Sequence, residues 1–236
     1  MTVKTLIIFL LFLPLIFGAC RTRNRVLIRP DPERRDQQHD IFIMGEILAS
    51  KGGAPQENLP DWVNRFIHGG IREVERLNAY SGRYVFIGRN RGNNFIALNR
   101  WSENFTVFHD FPRLAAARIE NRLFSAATLY PDDEYGDFFV TLIRLASDAE
   151  YPGALIEDTY WIKMRITPEN NDEETGEPQE APELYDFFVL ISIDRTTMQN
   201  HIRRLMSEAE AAIAAMPTRA QRASINRVQQ VFFEDF

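Results

Sequence analysis

Cys20 is the only cysteine in the chain, so its thiol has no partner for an internal disulfide. As a thiolate it is a nucleophile, and it follows Leu6–Phe17, a 12-residue apolar run, and the small pair Gly18-Ala19. That setting suits acylation. The other residues with chemical potential are scattered. His39, His68, His109 and His201 match no metal-ligand spacing, and no second cysteine is present, so no metal site is expected. His109-Asp110 has the composition of an acid–base dyad, but it stands just ahead of Pro112, where Asp110 reads more simply as a helix cap. Ser81-Gly82 and Ser102-Glu103 lack the framing of a nucleophile elbow. Gly88-Arg89-Asn90-Arg91-Gly92 is too sparse in glycine to cradle phosphate and reads as a turn. Asp172-Glu173-Glu174 gathers carboxylates, but a general acid needs a raised pKa and hence burial. The stretch also lacks the Asp-x-Asp-x-Asp-Gly order of a calcium loop. No catalytic residue and no cofactor is expected.

The apolar run is too short to cross a bilayer, which takes roughly 20 residues. With Lys4 ahead of it and small residues behind, it reads as a secretory signal. A cut before Cys20 by an ordinary signal peptidase would require a small residue at Phe17, which is large. Phe17-Gly18-Ala19-Cys20 resembles instead a relaxed bacterial lipobox, with Phe17 where leucine is usual. Residues 1–19 are then a lipoprotein signal peptide and Cys20 carries lipid, each buried CH₂ contributing about 0.8 kcal/mol to anchoring. The alternatives are a signal anchor, or a signal peptide with an incidental cysteine.

Without residues 1–19 the chain has 26 basic against 33 acidic residues, a formal balance of −7. Nucleic acid is therefore not an expected partner. An apolar content of 45 %, with 18 phenylalanines, is ample for one core.

Residues 20–58 read as a tether in which Ile41–Leu48 is apolar enough to pack as a short element. The α+β domain is expected over 59–216. Asp61 can cap a helix carrying Val63, Phe66, Ile67, Ile71, Val74 and Leu77, with Gly69-Gly70 weakening its middle. Arg83–Arg89 and Phe95–Trp101 read as two strands of a hairpin. Pro112 opens a helix with Leu114, Ala117, Ile119 and Leu123 on its buried face. Phe138, Phe139, Leu142, Ile143 and Ala146 recur at helical spacing. Leu155–Ile166 and Leu184–Ile193 form a second hairpin around an acidic loop, 168–183, with seven acids and no bases. Thr196 or Thr197 caps a helix that Pro217 stops, and 217–236 holds a C-terminal helix. The order predicts a mostly antiparallel sheet of about four strands with helices on one face.

Three features resemble one lipoprotein family. They are the lipobox with its tether, Leu59-Pro60-Asp61-Trp62-Val63, and the pair Glu157-Asp158-Thr159-Tyr160-Trp161 with Tyr185-Asp186-Phe187-Phe188-Val189-Leu190-Ile191. The family comprises small membrane-associated lipoprotein antigens of Gram-negative bacteria and the flagellar lipoprotein FlgP. The alanine-rich helix after Pro112 also fits, and the resemblance covers roughly 59–210. The acidic loop, the C-terminal helix and a long segment between Asp133 and Tyr151 depart from the pattern. The resemblance implies a small α+β domain without catalytic residues, serving as an envelope structural part and often oligomeric.

The expected function is that of a non-enzymatic protein of the bacterial cell envelope, lipid-anchored in the outer or inner membrane. Its domain would bind another envelope protein or itself. Trp161 and Phe187 on the hairpin, and Phe232, Phe233 and Phe236 at the C-terminus, are the candidate contact surface, although the last helix could simply pack on the core. A rival is a carrier of a small apolar ligand or lipid with a cavity under Phe138–Ile143. A cell-wall hydrolase is a weaker rival, for want of converging polar groups.

Overall fold

Glu183–Asp194 forms a strand, β4, in which the eight residues from Asp186 to Ile193 are all buried. Such burial requires neighbours on both edges and cover on both faces. In the computed structural model, which describes residues 45–53, 59–127, 136–166, 182–213 and 218–234, β4 has all of these. The signal segment 1–19, Cys20, most of the tether, residues 168–181 of the acidic loop and Phe236 lie outside the described residues. β2 (Arg83–Gly92) runs antiparallel along one side of β4, and β3 (Leu155–Ile166) along the other. β1 (Gly45–Ser50) lies outside β3, also antiparallel, so the order is β1-β3-β4-β2. The helices are α1 (Asp61–Glu75), α2 (Phe95–Asn104), α3 (Phe111–Ala127), α4 (Gly136–Asp148), α5 (Arg195–Ala212) and α6 (Arg219–Glu234). The α+β class and the four-stranded antiparallel sheet are those expected from the sequence.

Alternation along the strands sorts the core into two layers. Tyr84, Phe86, Val189, Ile191 and Ile193 join the larger layer under α3, α4, α5 and α6. Val85, Ile87, Tyr160, Ile162, Phe188 and Leu190 face the other way. That second face is covered by α1 through Trp62, Val63, Phe66, Ile67 and Val74. The helices thus divide between two faces, because β4 is apolar on both and neither could be left to water. Gly70, at φ +70°, breaks the helical path of α1 where Gly69-Gly70 had suggested weakness.

Several local expectations are corrected. Phe95–Trp101 is not a strand but most of α2. Asn94 caps it, its side chain accepting the Ala97 N–H at 3.1 Å, and Leu98, Ser102 and Phe105 are buried at helical intervals. β2 therefore pairs with β4 rather than with a hairpin partner. The fourth strand is β1, drawn from the segment read as tether. Its register on β3 runs from Gly45 opposite Ile166 to Ser50 opposite Ile162, with a bulge between Ile47 and Ala49. Asp61 does not cap α1; it sits within the first turn and pairs with Arg65 at 3.6 Å. Asp194, not Thr196 or Thr197, caps α5 by accepting the Thr197 N–H at 2.8 Å. On α3, Ile119 and Leu123 are buried as expected, but Ala115 and Ala116 fill the rest of the buried face, with Leu114 half-buried and Ala117 exposed. Thr218 and Gln221 cap α6 reciprocally, at 3.1 and 2.8 Å.

β2 is an edge strand, and its open side is blocked at Val85. The Val85 N–H donates to Glu75 Oε1 at 2.9 Å, and Arg118 Nη1 donates to the Val85 carbonyl at 3.0 Å. Arg118 also bonds Glu75 at 2.8 Å and lies over the Tyr84 and Phe86 rings. Further along β2, a Cβ at Gly88 would stand 2.7 Å from the Phe105 ring. Gly88→Ala must therefore push Phe105 out of its seat, and overpacking of this kind costs about 1–3 kcal/mol. Thermal unfolding of Gly88→Ala should show a clearly lower midpoint than the parent.

Candidate functional site

The register of β3 and β4 places Trp161 directly opposite Phe187, and their rings stack at 6.2 Å and 24°. Tyr185 lies next on the same face, 6.1 Å from Trp161. Phe95, the first residue of α2, stands edge-on to all three rings at 5.2–5.4 Å. The two hairpin aromatics expected to form a contact surface are thus brought together, but they divide in role. Phe187 is buried and seats α2 on the sheet, so its side chain is not a contact surface. Trp161 and Tyr185 remain half-exposed.

Charges border these rings. Lys163 Nζ lies 5.8 Å from the Tyr185 ring and 2.5 Å from Glu183 Oε2. Arg165 reaches Glu183 and Glu46, both at 3.1 Å. The bond between Lys163 and Glu183 raises the ammonium pKa and lowers that of the carboxyl, with Arg165 adding to the second effect. A half-exposed aromatic pair with a polar border has the anatomy of a binding hot spot.

Of the C-terminal aromatics, Phe232 and Phe233 are described, and neither packs against these rings. Phe232 is fully buried in the larger core layer, so its expected role in contact is overturned. Arg122 of α3 holds the end of α6 by donating to the carbonyls of Val231 at 2.9 Å and Phe232 at 3.2 Å. Phe233 is half-buried, edge-on to Phe232 and under the Arg203 guanidinium at 4.7 Å. The carrier reading placed its cavity under Phe138–Ile143. Phe138, Phe139 and Leu142 are buried in the core, and Phe139 packs on Phe124 at 6.3 Å.

One polar cluster had no counterpart in the sequence reading. Asp186, fully buried, accepts two bonds from each of two arginines. Arg89 approaches at 3.1 and 2.7 Å, and Arg91 at 3.0 and 2.6 Å. The signal was a lone acid within an apolar strand facing an Arg-x-Arg pair, which read instead as a turn. Two bidentate forks satisfy all the lone pairs of the carboxylate. The cluster explains how a charge lies in β4; it presents no reactive group.

The catalytic candidates are similarly engaged. Asp110 accepts the Thr106 N–H at 2.8 Å in its own loop. His109 and His68 are exposed. Ser102 donates to the Asn99 carbonyl at 2.8 Å within its own helix. Among the described residues no three His, Cys, Asp or Glu side chains converge as a metal site would require.

Comparison with protein-family models, curated proteins and solved structures finds no match. The candidate surface therefore rests on its geometry alone.

His201 is the one histidine among the described residues that the fold buries. It lies 4.6 Å from the Tyr151 ring, and its Nε2 has no hydrogen-bond partner. Burial, reinforced by Arg204, lowers its pKa below the usual 6.5. The unfolded chain therefore binds a proton more readily than the folded one, and stability is lost as pH falls from above 6.5 toward the lower folded value. Melting temperatures of the parent should fall between pH 7.5 and pH 5.5, and His201→Phe should show a smaller fall.

Proposed function

We propose that this chain is a lipid-anchored protein of the bacterial cell envelope, non-enzymatic, whose α+β domain acts as a structural or protein-binding module. The observation that carries the reading is Cys20, placed directly after a short apolar run and Phe17-Gly18-Ala19. Lipid on that residue would hold the domain at one leaflet, and no helix among the described residues is long and apolar enough to cross a membrane. The binding surface is Trp161 and Tyr185 with their border of Lys163, Arg165 and Glu183. The engagement of Ser102 and Asp110 in local hydrogen bonds supports a non-enzymatic role.

Kinship with the family of small membrane-associated lipoprotein antigens belongs to the same proposal. The motifs that carry it fall on α1, β3 and β4, where Trp62, Val63, Tyr160 and Phe188 are core residues. They speak for a shared fold more than for a shared role.

Labelling cells with a radioactive fatty acid tests the anchor. Wild-type protein should take up label and begin at Cys20, whereas Cys20→Ala should stay unlabelled and retain residues 1–19. A wild-type protein that carries no label would refute the proposal.

A further inference from the structure

α5 and α6 lie antiparallel. Gln229 Nε2 bonds Glu210 Oε1 at 2.5 Å at one end of their contact, and the Arg203 guanidinium lies 4.7 Å from the Phe233 ring at the other. Between the helices runs a groove of about 460 Å³, within the roughly 300–1,000 Å³ of ligand-binding clefts. α5 lines it with Arg203, Ser207 and Glu210, and α6 with Asn226, Gln230 and Phe233. These positions recur at helical intervals, so each helix turns one stripe to the groove. Arg219, seven residues before Asn226, continues the stripe of α6.

The groove offers unused bonding groups. Among the described residues, the side chains of Ser207, Asn226 and Gln230 make no hydrogen bond, and all three are exposed. A side-chain amide carries a carbonyl acceptor and two N–H donors, which match the two groups of a peptide unit. Arg203 spends one donor on Asn200, at 3.1 Å, and among the described residues no carboxylate pairs with it or with Arg219. Glu210 is already bonded by Gln229. From Arg219 to Phe233, α6 carries three arginines and no acid, in a chain whose net charge is −6.

We propose that this groove binds an extended acidic peptide, a segment of a partner protein, with one carboxylate against Arg203 and another against Arg219. From Phe233, beside Arg203, to Arg219 is about 21 Å along α6 at 1.5 Å per residue. A strand of about seven residues spans that distance at roughly 3.3 Å per residue, with its first and last side chains on one face. Ser207, Asn226 and Gln230 then meet the peptide backbone between them. An anionic lipid surface would also attract the arginines, but headgroups lying in a plane neither fill a groove between helices nor use its amides. The inference rests on the protein-binding role proposed above. It adds a second surface to the one around Trp161 and does not depend on the lipid.

The test uses the full chain in detergent and, as probe, the end-blocked peptide Glu-Ala-Ser-Ala-Ser-Ala-Glu. Titration followed by NMR should shift backbone amides of α5 and α6 that line the groove. Replacing both glutamates of the probe by glutamine should weaken binding at least tenfold, and Arg203→Gln should weaken it about tenfold. Asn226→Asp, which puts a carboxylate in the groove at an exposed position, should do the same without disturbing the core. Arg204→Gln removes an equal charge from a residue that does not line the groove and pairs with Glu208 at 3.8 Å, and it should change affinity less than about twofold. A probe that shifts no amide of α5 or α6 overturns the proposal. So does equal loss in Arg203→Gln and Arg204→Gln, which marks attraction by net charge alone, and so does binding to phosphatidylglycerol vesicles in place of the peptide. Failure of the Cys20 anchor is read separately, from fatty-acid labelling, and leaves these shifts untouched.

Discussion

Everything in this domain is arranged around the burial of β4. Eight consecutive residues without access to water oblige the chain to supply strands on both edges and helices on both faces. The edges come from β2 and β3, which are distant from each other in sequence. The faces come from α1 on one side and α3 to α6 on the other. Edge-on aromatic pairs mark both layers, with Phe66 against Phe188 at 5.5 Å and Phe86 against Phe111 at 4.8 Å. Ring pairs of this geometry contribute about 0.5–1.5 kcal/mol beyond the area they bury.

Asp186 is the exception within that strand, and it shows how strict the constraint is. A buried carboxylate deprived of its partners would cost about 3–5 kcal/mol. Arg89 and Arg91 prevent this from the neighbouring strand while keeping part of their own side chains in water, with exposures of 21 % and 34 %. The same economy explains the surface proposed for binding. Phe187 turns inward to seat α2, which leaves Trp161 and Tyr185 at the boundary between core and solvent.

Much of this was legible in the sequence where periodicity was strong. The alternation of Tyr84 and Phe86 against Val85 and Ile87, the face formed by Tyr160, Ile162 and Met164, and the helical spacing of Phe138, Phe139, Leu142 and Ala146 all appear in the fold. The errors share one physical cause: short segments whose state is decided by distant partners. Phe95–Trp101 is rich in residues that suit strands, yet the Asn94 cap and the aromatic seat on β4 make it helical. Gly45–Ser50 overlaps Ile41–Leu48, which was read only as apolar enough to pack, and becomes a strand because β3 offers an edge. The surface proposed for binding was half legible. Trp161 stands where expected, while Phe232 follows the other reading of the last helix, packed into the core as α6 docks on α3.

Native-state hydrogen exchange tests most directly the claim that β4 organises the domain. Amides from Phe187 to Ile193 should exchange only through global unfolding and share one free energy of opening, while those of β1 and α2 open locally at lower cost. Amides of β4 that exchange as readily as those of β1 would contradict the account, because the strand on which both core layers rest would then open on its own.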